Sequence, residues 1–360
     1  MNTRRVILNL HVWAGLLIGL FWMIQGTTGA ALVFNRDIQV AYLASSAGHD
    51  RLPLDAVLTR TAAAVGGPIT RLETFGPDPL LLLAYHKTPA GERVAVVDWR
   101  DGAIVDARDM HANLPSGGET WPWLLRLHES LLADDAGLVV VGCLGVVLVI
   151  GMGLGLWTAL PYRNWRGAWK MTRMAGARQR LVGWHRLGGL TGAPLLLLLA
   201  ACGVYLAFAP EIRALLAQRA GYAMPYKPAP AEAAPPVRVS AEEAYAAARQ
   251  RFPGATLVRL VIPSKASPVY LFRLLQPGDA RRWAGTSTVA VDPGSGRIVD
   301  AYDSAHGPLA NRATDLIYSI HTGDVGGVGG RILVFLAGLA LPAFAITGWI
   351  SWLKKRRKRG

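Results

Sequence analysis

Four stretches of the chain are apolar over lengths that a soluble core does not require, and two long polar blocks separate them. The apolar runs lie near residues 10–34, 137–160, 185–208 and 331–353. Each reaches the roughly 20 residues that carry a helix across a ~30 Å hydrocarbon core, so the pattern predicts four transmembrane helices. The intervening blocks, 35–130 and 209–328, change period. The second opens with SAEEAYAAARQRF, a helix with Ser240 as N-cap and Glu243 as its capping-box partner. Extended runs follow at TLVRLVI, VYLFRLL and TSTVAVD, and DPGSG supplies turn chemistry before RIVDAYD. The first block predicts a helix around 54–65 and strands near LLLLAYH, RVAVVD and AIVDARD. Residues 223–236, AMPYKPAPAEAAPP, read as a semi-rigid connector.

Charge orients these elements. The formal net charge is +14. Arg4 and Arg5 precede the first run, six basic residues occupy 161–183 (Arg163, Arg166, Lys170, Arg173, Arg178, Arg180), and six more fill 354–360. None of these stretches holds Asp or Glu, so they account for the whole excess and the rest of the chain is neutral. Short loops rich in Lys and Arg stay in the cytoplasm. The expected order is therefore a cytoplasmic start and first span (1–34), an exported module (35–130), a second span (137–160), a basic cytoplasmic loop (161–183), a third span (184–208), a second exported module (209–328), a fourth span (331–353) and a cytoplasmic tail (354–360). In a bacterial inner membrane, with both termini inside, the exported modules lie in the periplasm. The basic excess sits beside spans and forms no groove-reading motif, so it points to lipid headgroups and not to nucleic acid. The first run is longer than a signal-peptide core and no clean A-x-A site follows it. Cys143 and Cys202, both inside spans, read as inert core thiols.

The chain also repeats itself. At an offset of 174 residues, His11 aligns with His185, Gly15 with Gly189, Leu16 with Leu190, Gly29 with Gly203, Leu32 with Leu206 and Phe34 with Phe208. At an offset of 193, His128 aligns with His321, Gly145 with Gly338 and Gly155 with Gly348. Between them VVDWRDGAIVDARD echoes AVDPGSGRIVDAYD. Each half is span, exported module, span, and both halves enter from the same side. Parallel repeats of this kind are related by an axis along the membrane normal, which brings equivalent residues together at equal depth. The expected fold is thus a four-helix membrane protein built as a tandem parallel repeat, with two small α+β modules.

That axis gives meaning to four histidines. His11 and His185 each open an apolar segment, whereas His128 and His321 each precede one by about ten residues. One pair belongs to each membrane border. A lone histidine near a span end is commonly an interfacial side chain, but four at repeat-equivalent positions favour ligation. Gly15 and Gly189 follow their histidines by four residues and share their helical face, leaving room for a flat group, with plain helix packing as the rival explanation. Arg126, Arg180 and Arg186 lie near the pairs and suit carboxylate partners. His111 and His306 nearly align after matched Asp106/Asp300 and Asp109/Asp303. They are secondary ligand candidates, and solvated loop residues on the plainer reading. The twelve tryptophans form an interfacial belt.

LHVWAGL in the first span, the turn VAVDPGSGRIVDA, and SIHTGDVGGVGGRIL running into ITGWISW resemble the PepSY-associated transmembrane proteins, which include iron-regulated inner-membrane siderophore reductases. The resemblance covers nearly the whole chain. It implies periplasmic PepSY-like modules and two b-type haems with bis-histidine ligation, carried here by His11, His185, His128 and His321. It also implies electron delivery to a ferric siderophore in the periplasm. No nucleotide-binding fingerprint occurs, so no bound flavin or nicotinamide is expected. The electron donor is then a cytosolic flavoprotein or ferredoxin-like carrier. Two other classes compete: a non-enzymatic binding or regulatory membrane protein, which needs no histidine pairs, and a transporter, which the spans disfavour because they lack acidic coupling residues.

Overall fold

The computed structural model describes residues 3–43, 51–75, 78–89, 91–112, 114, 116–160, 169, 176–279, 281 and 284–356. In chain order its elements are α1 (Thr3–Leu32), α2 (Asn35–Leu43), α3 (Leu54–Val65), β1 (Ile69–Phe75), β2 (Asp78–Thr88), β3 (Gly91–Asp98), β4 (Ile104–Asp109), α4 (Thr120–Ser130), α5 (Asp134–Ala159), α6 (Ala177–Ala207), α7 (Ala209–Arg219), α8 (Ala241–Arg251), β5 (Thr256–Val261), β6 (Tyr270–Leu275), β7 (Ser287–Val291), β8 (Ile298–Tyr302), α9 (Leu309–Thr322) and α10 (Gly327–Arg356). They fall into two compact units, one of residues 1–33, 124–209 and 320–360, the other of 34–123 and 210–319.

The first unit is helical. α1, α5, α6 and α10 are each long and apolar enough to cross a membrane. They extend past the apolar runs because border residues such as Arg4, Arg180 and Lys355 continue the helix into polar surroundings. α1 packs along α10 and α5, and α6 along the same two, so α1 and α6 occupy opposite corners of the bundle. Lipid offers helices no hydrophobic reason to associate, so close approach depends on small residues. A Cβ at Gly26 would lie 2.4 Å from the Gly338 carbonyl, and one at Gly338 2.8 Å from the Gly26 carbonyl. Arg331 closes the same contact by donating from Nη2 to the Val33 carbonyl at 2.9 Å.

Two sharp turns deliver α4 and α9 into the bundle helices that follow them. A Cβ on Gly137 would sit 1.7 Å from the Ser130 carbonyl, and one on its repeat mate Gly330 2.3 Å from the Gly323 carbonyl. The second turn uses glycine where φ is positive, at Gly323 (83°) and Gly327 (58°). The first holds Leu131, Leu132 and Asp134 at 52°, 63° and 45°. Such conformations cost side-chain-bearing residues about 1–2 kcal/mol each, so tertiary contacts must sustain them.

The second unit is one antiparallel sheet in the order β4-β3-β2-β1-β5-β6-β7-β8. The two exported blocks expected from sequence thus contribute four strands apiece to a single sheet. It is joined where β1 meets β5 with Leu72 opposite Leu260. α3 and α8 cover one face through a core that includes Leu54, Val57, Ala244, Tyr245, Leu72, Leu260 and Phe272. α2 packs a smaller cluster of Leu43, Phe75, Leu81 and Val96. The expected helix at 54–65 and the Ser240–Glu243 capping box are both present. The helices also cap each other: Asp55 accepts from the amides of Ala241 and Glu242 at 2.9 and 3.0 Å, and Glu242 accepts from that of Leu54 at 2.9 Å. Strand β1 and helices α2, α4, α7 and α9 were not expected from the sequence pattern.

Candidate functional site

The four histidines meet in the pairs that the repeat predicts. His11 on α1 and His185 on α6 face each other with ring centroids 6.1 Å apart and planes at 73°. His128 on α4 and His321 on α9 lie 6.3 Å apart at 42°. His11 and His185 occupy equivalent places near the start of α1 and α6. His128 instead packs beside Thr28 and Gly29 near the end of α1, and His321 beside Leu199 and Gly203 near the end of α6. Seventeen residues of helix separate the levels of His11 and Thr28, about 25 Å at 1.5 Å per residue. One pair therefore sits near each end of the bundle.

Each ring is oriented through Nδ1. His11 Nδ1 lies 2.8 Å from the Gly151 carbonyl and His321 Nδ1 3.1 Å from the Leu199 carbonyl. A carbonyl only accepts, so both nitrogens carry the proton. His128 Nδ1 is 3.0 Å from Thr28 Oγ1, and His185 Nδ1 is 3.1 Å from Thr347 Oγ1. Both hydroxyls already donate to carbonyls one turn back, at Ile24 and Ala343, each at 2.7 Å. They too must accept from the imidazole. His128 and His185 also interact with the carbonyls of Gln25 and Phe344, the repeat mates of Leu199 and Gly151. All four rings are thereby fixed as Nδ1–H tautomers, leaving Nε2 with its lone pair. A donor hydrogen bond at one nitrogen that presents the other is how metal-binding histidines are held.

Glycines make room for the rings. A Cβ at Gly155 would lie 2.8 Å from His11 Cε1, and one at Gly29 2.9 Å from His128 Cε1. At their repeat mates the approach is looser, 3.4 Å from Gly203 to His321 and 3.9 Å from Gly348 to His185. Gly15 and Gly189 meet no other atom within 4 Å of such a Cβ, so the space beside each is open. Outside the four spans, burial and then neighbouring His321 push His128 down to about 4, and burial lowers His321 against the hydrogen bond to Leu199. Both rings stay neutral at physiological pH, as ligands must.

A metal ion bonds imidazole nitrogen at ~2.0–2.1 Å, and ring centres 6.1 and 6.3 Å apart leave room for one ion to be bonded by both rings of a pair. Among the described residues no cluster of three or more His, Cys, Asp or Glu could hold a bare ion. Two imidazoles alone leave an ion undercoordinated, whereas an iron already held by the nitrogens of a macrocycle would need only the two histidines of a pair. The residues present fit such a group.

The remaining candidates separate. Arg126, two residues before His128 on α4, has Nη2 3.7 Å from Asp134 Oδ1. Arg186 is half-buried beside His185 on α6, and Arg180 is exposed near the start of that helix. His111 is exposed, and His306 is 85% exposed with Nδ1 2.8 Å from Asp303 Oδ2. Neither joins the pairs. Cys143 is exposed on α5 and Cys202 buried on α6, both as free thiols.

Sequence reasoning treated Gly29, Gly203, Gly155 and Gly348 only as markers of the repeat. Each instead stands against one histidine, and their matched spacing was the available signal. Thr28 and Thr347 carried none, since their repeat mates are Cys202 and Leu154.

A profile of the family described as PepSY-associated TM region matches residues 8–355. No curated protein matches the chain.

Proposed function

The chain belongs to the PepSY-associated TM region family, and from that premise we propose that it is a membrane oxidoreductase. In this reading it holds two b-type haems and reduces ferric siderophores on the outer face of a bacterial inner membrane. The observation that carries the reading is the pair of histidine couples at 6.1 and 6.3 Å, every ring protonated at Nδ1 toward a fixed acceptor. Haem bound by two neutral imidazoles supplies reversible one-electron chemistry, with a potential set by ligands and surroundings. His11 and His185 would hold the haem nearer the basic, cytoplasmic border, and His128 and His321 the one nearer the exported border.

The chain's own contribution is orientation. The carbonyls of Gly151 and Leu199 and the hydroxyls of Thr28 and Thr347 lock the ring tautomers. Gly15 and Gly189 leave open space beside the inner histidines. Arg126, Arg180 and Arg186 are the cations on the histidine-bearing helices proposed to meet propionate carboxylates. Electrons come one at a time from a reduced cytosolic flavoprotein or ferredoxin-like carrier, drawn to the basic face. Each converts one Fe(III) chelate outside to Fe(II), which the siderophore releases. The eight-stranded sheet unit is assigned to the periplasm on the distribution of positive charge.

Pigment analysis of the purified protein tests this directly. About two equivalents of b-type haem per chain are expected, with a bis-imidazole reduced spectrum that a ferric siderophore reoxidises. Protein that folds, purifies colourless and takes up no haem overturns the proposal.

A further inference from the structure

The sheet face turned away from α3 and α8 carries a row of charge running across four strands. Glu73 on β1 pairs in register with Arg259 on β5, Arg259 with Arg273 on β6, and Arg273 with Thr288 on β7. Directly opposed residues share a face, so these side chains stand together. Glu73 is consumed: Arg259 Nε lies 2.7 Å and Arg71 Nε 3.0 Å from its Oε1. The Arg273 side chain forms no hydrogen bond or ion pair with any described residue, is half-buried, and feels Arg259, Arg281 and Arg213 as like charges against the attraction of Glu73. Burial, followed by those arginines, pushes its guanidinium down to about 10.

Thr288 completes the arrangement, since its buried Oγ1 has no hydrogen-bond partner. The other groups that face this cluster are Asp315 and Tyr318 on α9 and Asp279 in the loop after β6. Arg281 stacks over the Tyr318 ring at 4.6 Å and, with Arg213 of α7, attracts Asp315. Asp279 already accepts from Gln276 and Ser304. Like charges opposed across a sheet destabilise it, and Glu73, which offsets them at Arg273, is already shared with Arg71 and Arg259. Three arginines around one shared carboxylate leave an excess of positive charge on this face, which attracts anions.

We propose that the sheet face centred on Arg273, flanked by Arg259 and Thr288, is a binding site for the anionic oxygen donors of a negatively charged metal chelate. Resting on the ferric-chelate reading above, this narrows the substrate class to polycarboxylate or catecholate chelates, and away from cationic hydroxamates. Arg273 offers a planar fork to paired oxygens, and Thr288 a hydroxyl donor beside it.

The test uses the full-length protein in detergent with gallium(III) citrate, which has no accessible redox step and so reports binding independently of haem. Wild-type protein should bind it with an affinity that falls as salt rises. Metal-free citrate and a cationic gallium hydroxamate should bind at least roughly tenfold more weakly. Arg273→Gln should weaken gallium citrate binding by roughly tenfold or more while leaving the thermal midpoint unchanged or raised, since it removes a repelled charge. Arg273→Lys should fall between. Salt-independent binding by the wild type, equal affinity for the cationic chelate, or an unaltered affinity in Arg273→Gln overturns the site, and so does unfolding of that variant. Protein that binds gallium citrate through Arg273 but holds no haem would refute the reductase reading and leave this site standing. Haem-loaded protein that reduces ferric chelates with Arg273→Gln unaffected would do the reverse.

Discussion

Two repeat-equivalent glycines should respond oppositely to the same one-carbon change. In Gly155→Ala the new Cβ would stand 2.8 Å from His11 Cε1 and 3.1 Å from its Nδ1, where comfortable carbon contacts begin near ~3.5 Å. The ring must retreat by roughly 0.7 Å. Such a retreat disturbs either the 2.8 Å bond from Nδ1 to the Gly151 carbonyl or the position of Nε2. In Gly348→Ala the corresponding distance to His185 Cε1 is 3.9 Å, and nothing need move. Both substitutions raise helix propensity to the same extent, by about 0.5–1 kcal/mol, so their difference isolates the contact. Losing a histidine's orienting bond typically costs 10–100-fold in metal affinity, about 1.4–2.8 kcal/mol. The assay is haem retention by the purified variants against a competing apo-haem protein, with the inner and outer centres resolved by their spectra. Gly155→Ala should lose the inner haem within that range while Gly348→Ala matches wild type. Equal losses in the two variants, or a larger one in Gly348→Ala, would refute the steric reasoning.

Replacing His11 or His185 with Ala should remove the same haem, and the double substitution should cost no more than either single one. His128 and His321 should behave likewise at the other centre, so spectra assigning His11 and His185 to different haems would break the pairing. Asp55→Ala removes two helix-capping bonds at the start of α8 and should destabilise the sheet unit by about 1–2 kcal/mol; an unchanged midpoint in chemical denaturation counts against the reciprocal caps. The Ser295 hydroxyl and amide hold the Asp292 carboxylate below its usual range. A depressed folded pKa gives stability that is present above the unfolded value near ~3.9 and is lost as pH falls through the folded one. Asp292→Asn should therefore flatten the acid limb of thermal stability below about pH 4, and an identical limb in the variant would dismiss that linkage.

Local pattern accounts for what the sequence discloses. Apolar length announces the four spans, and Ser240 with Glu243 announces α8, because each signal is complete within a few residues or one window. The histidine pairs were visible only through the duplication, which converts distance along the chain into proximity about an axis. Strand β1 escaped notice because Arg71 and Glu73 fill its polar face and leave Ile69, Leu72 and Phe75 without the alternation of a half-buried strand. The joining of two four-stranded halves depends on Leu72 meeting Leu260, a pairing no local window contains. Thr28 and Thr347 act only because a neighbouring helix presents an imidazole to them. The charge row of Glu73, Arg259, Arg273 and Thr288 likewise exists only in the cross-strand register.

The turns that follow α4 and α9 reach one geometry by unequal means, and the inequality gives the two halves different histories. Glycine enters the left-handed region freely, so the turn at Gly323–Gly327 can form while its flanking helices are still separate. Leu131, Leu132 and Asp134 resist it, and their turn can persist only once α5 has seated against its neighbours. The later-synthesised hairpin is thus the self-sufficient one, and the earlier hairpin must wait for α5 to seat against α1 and α6. Duplication copied the architecture without copying the autonomy of its parts, so His321 is carried on a preset spring and His128 on one that the rest of the bundle must wind.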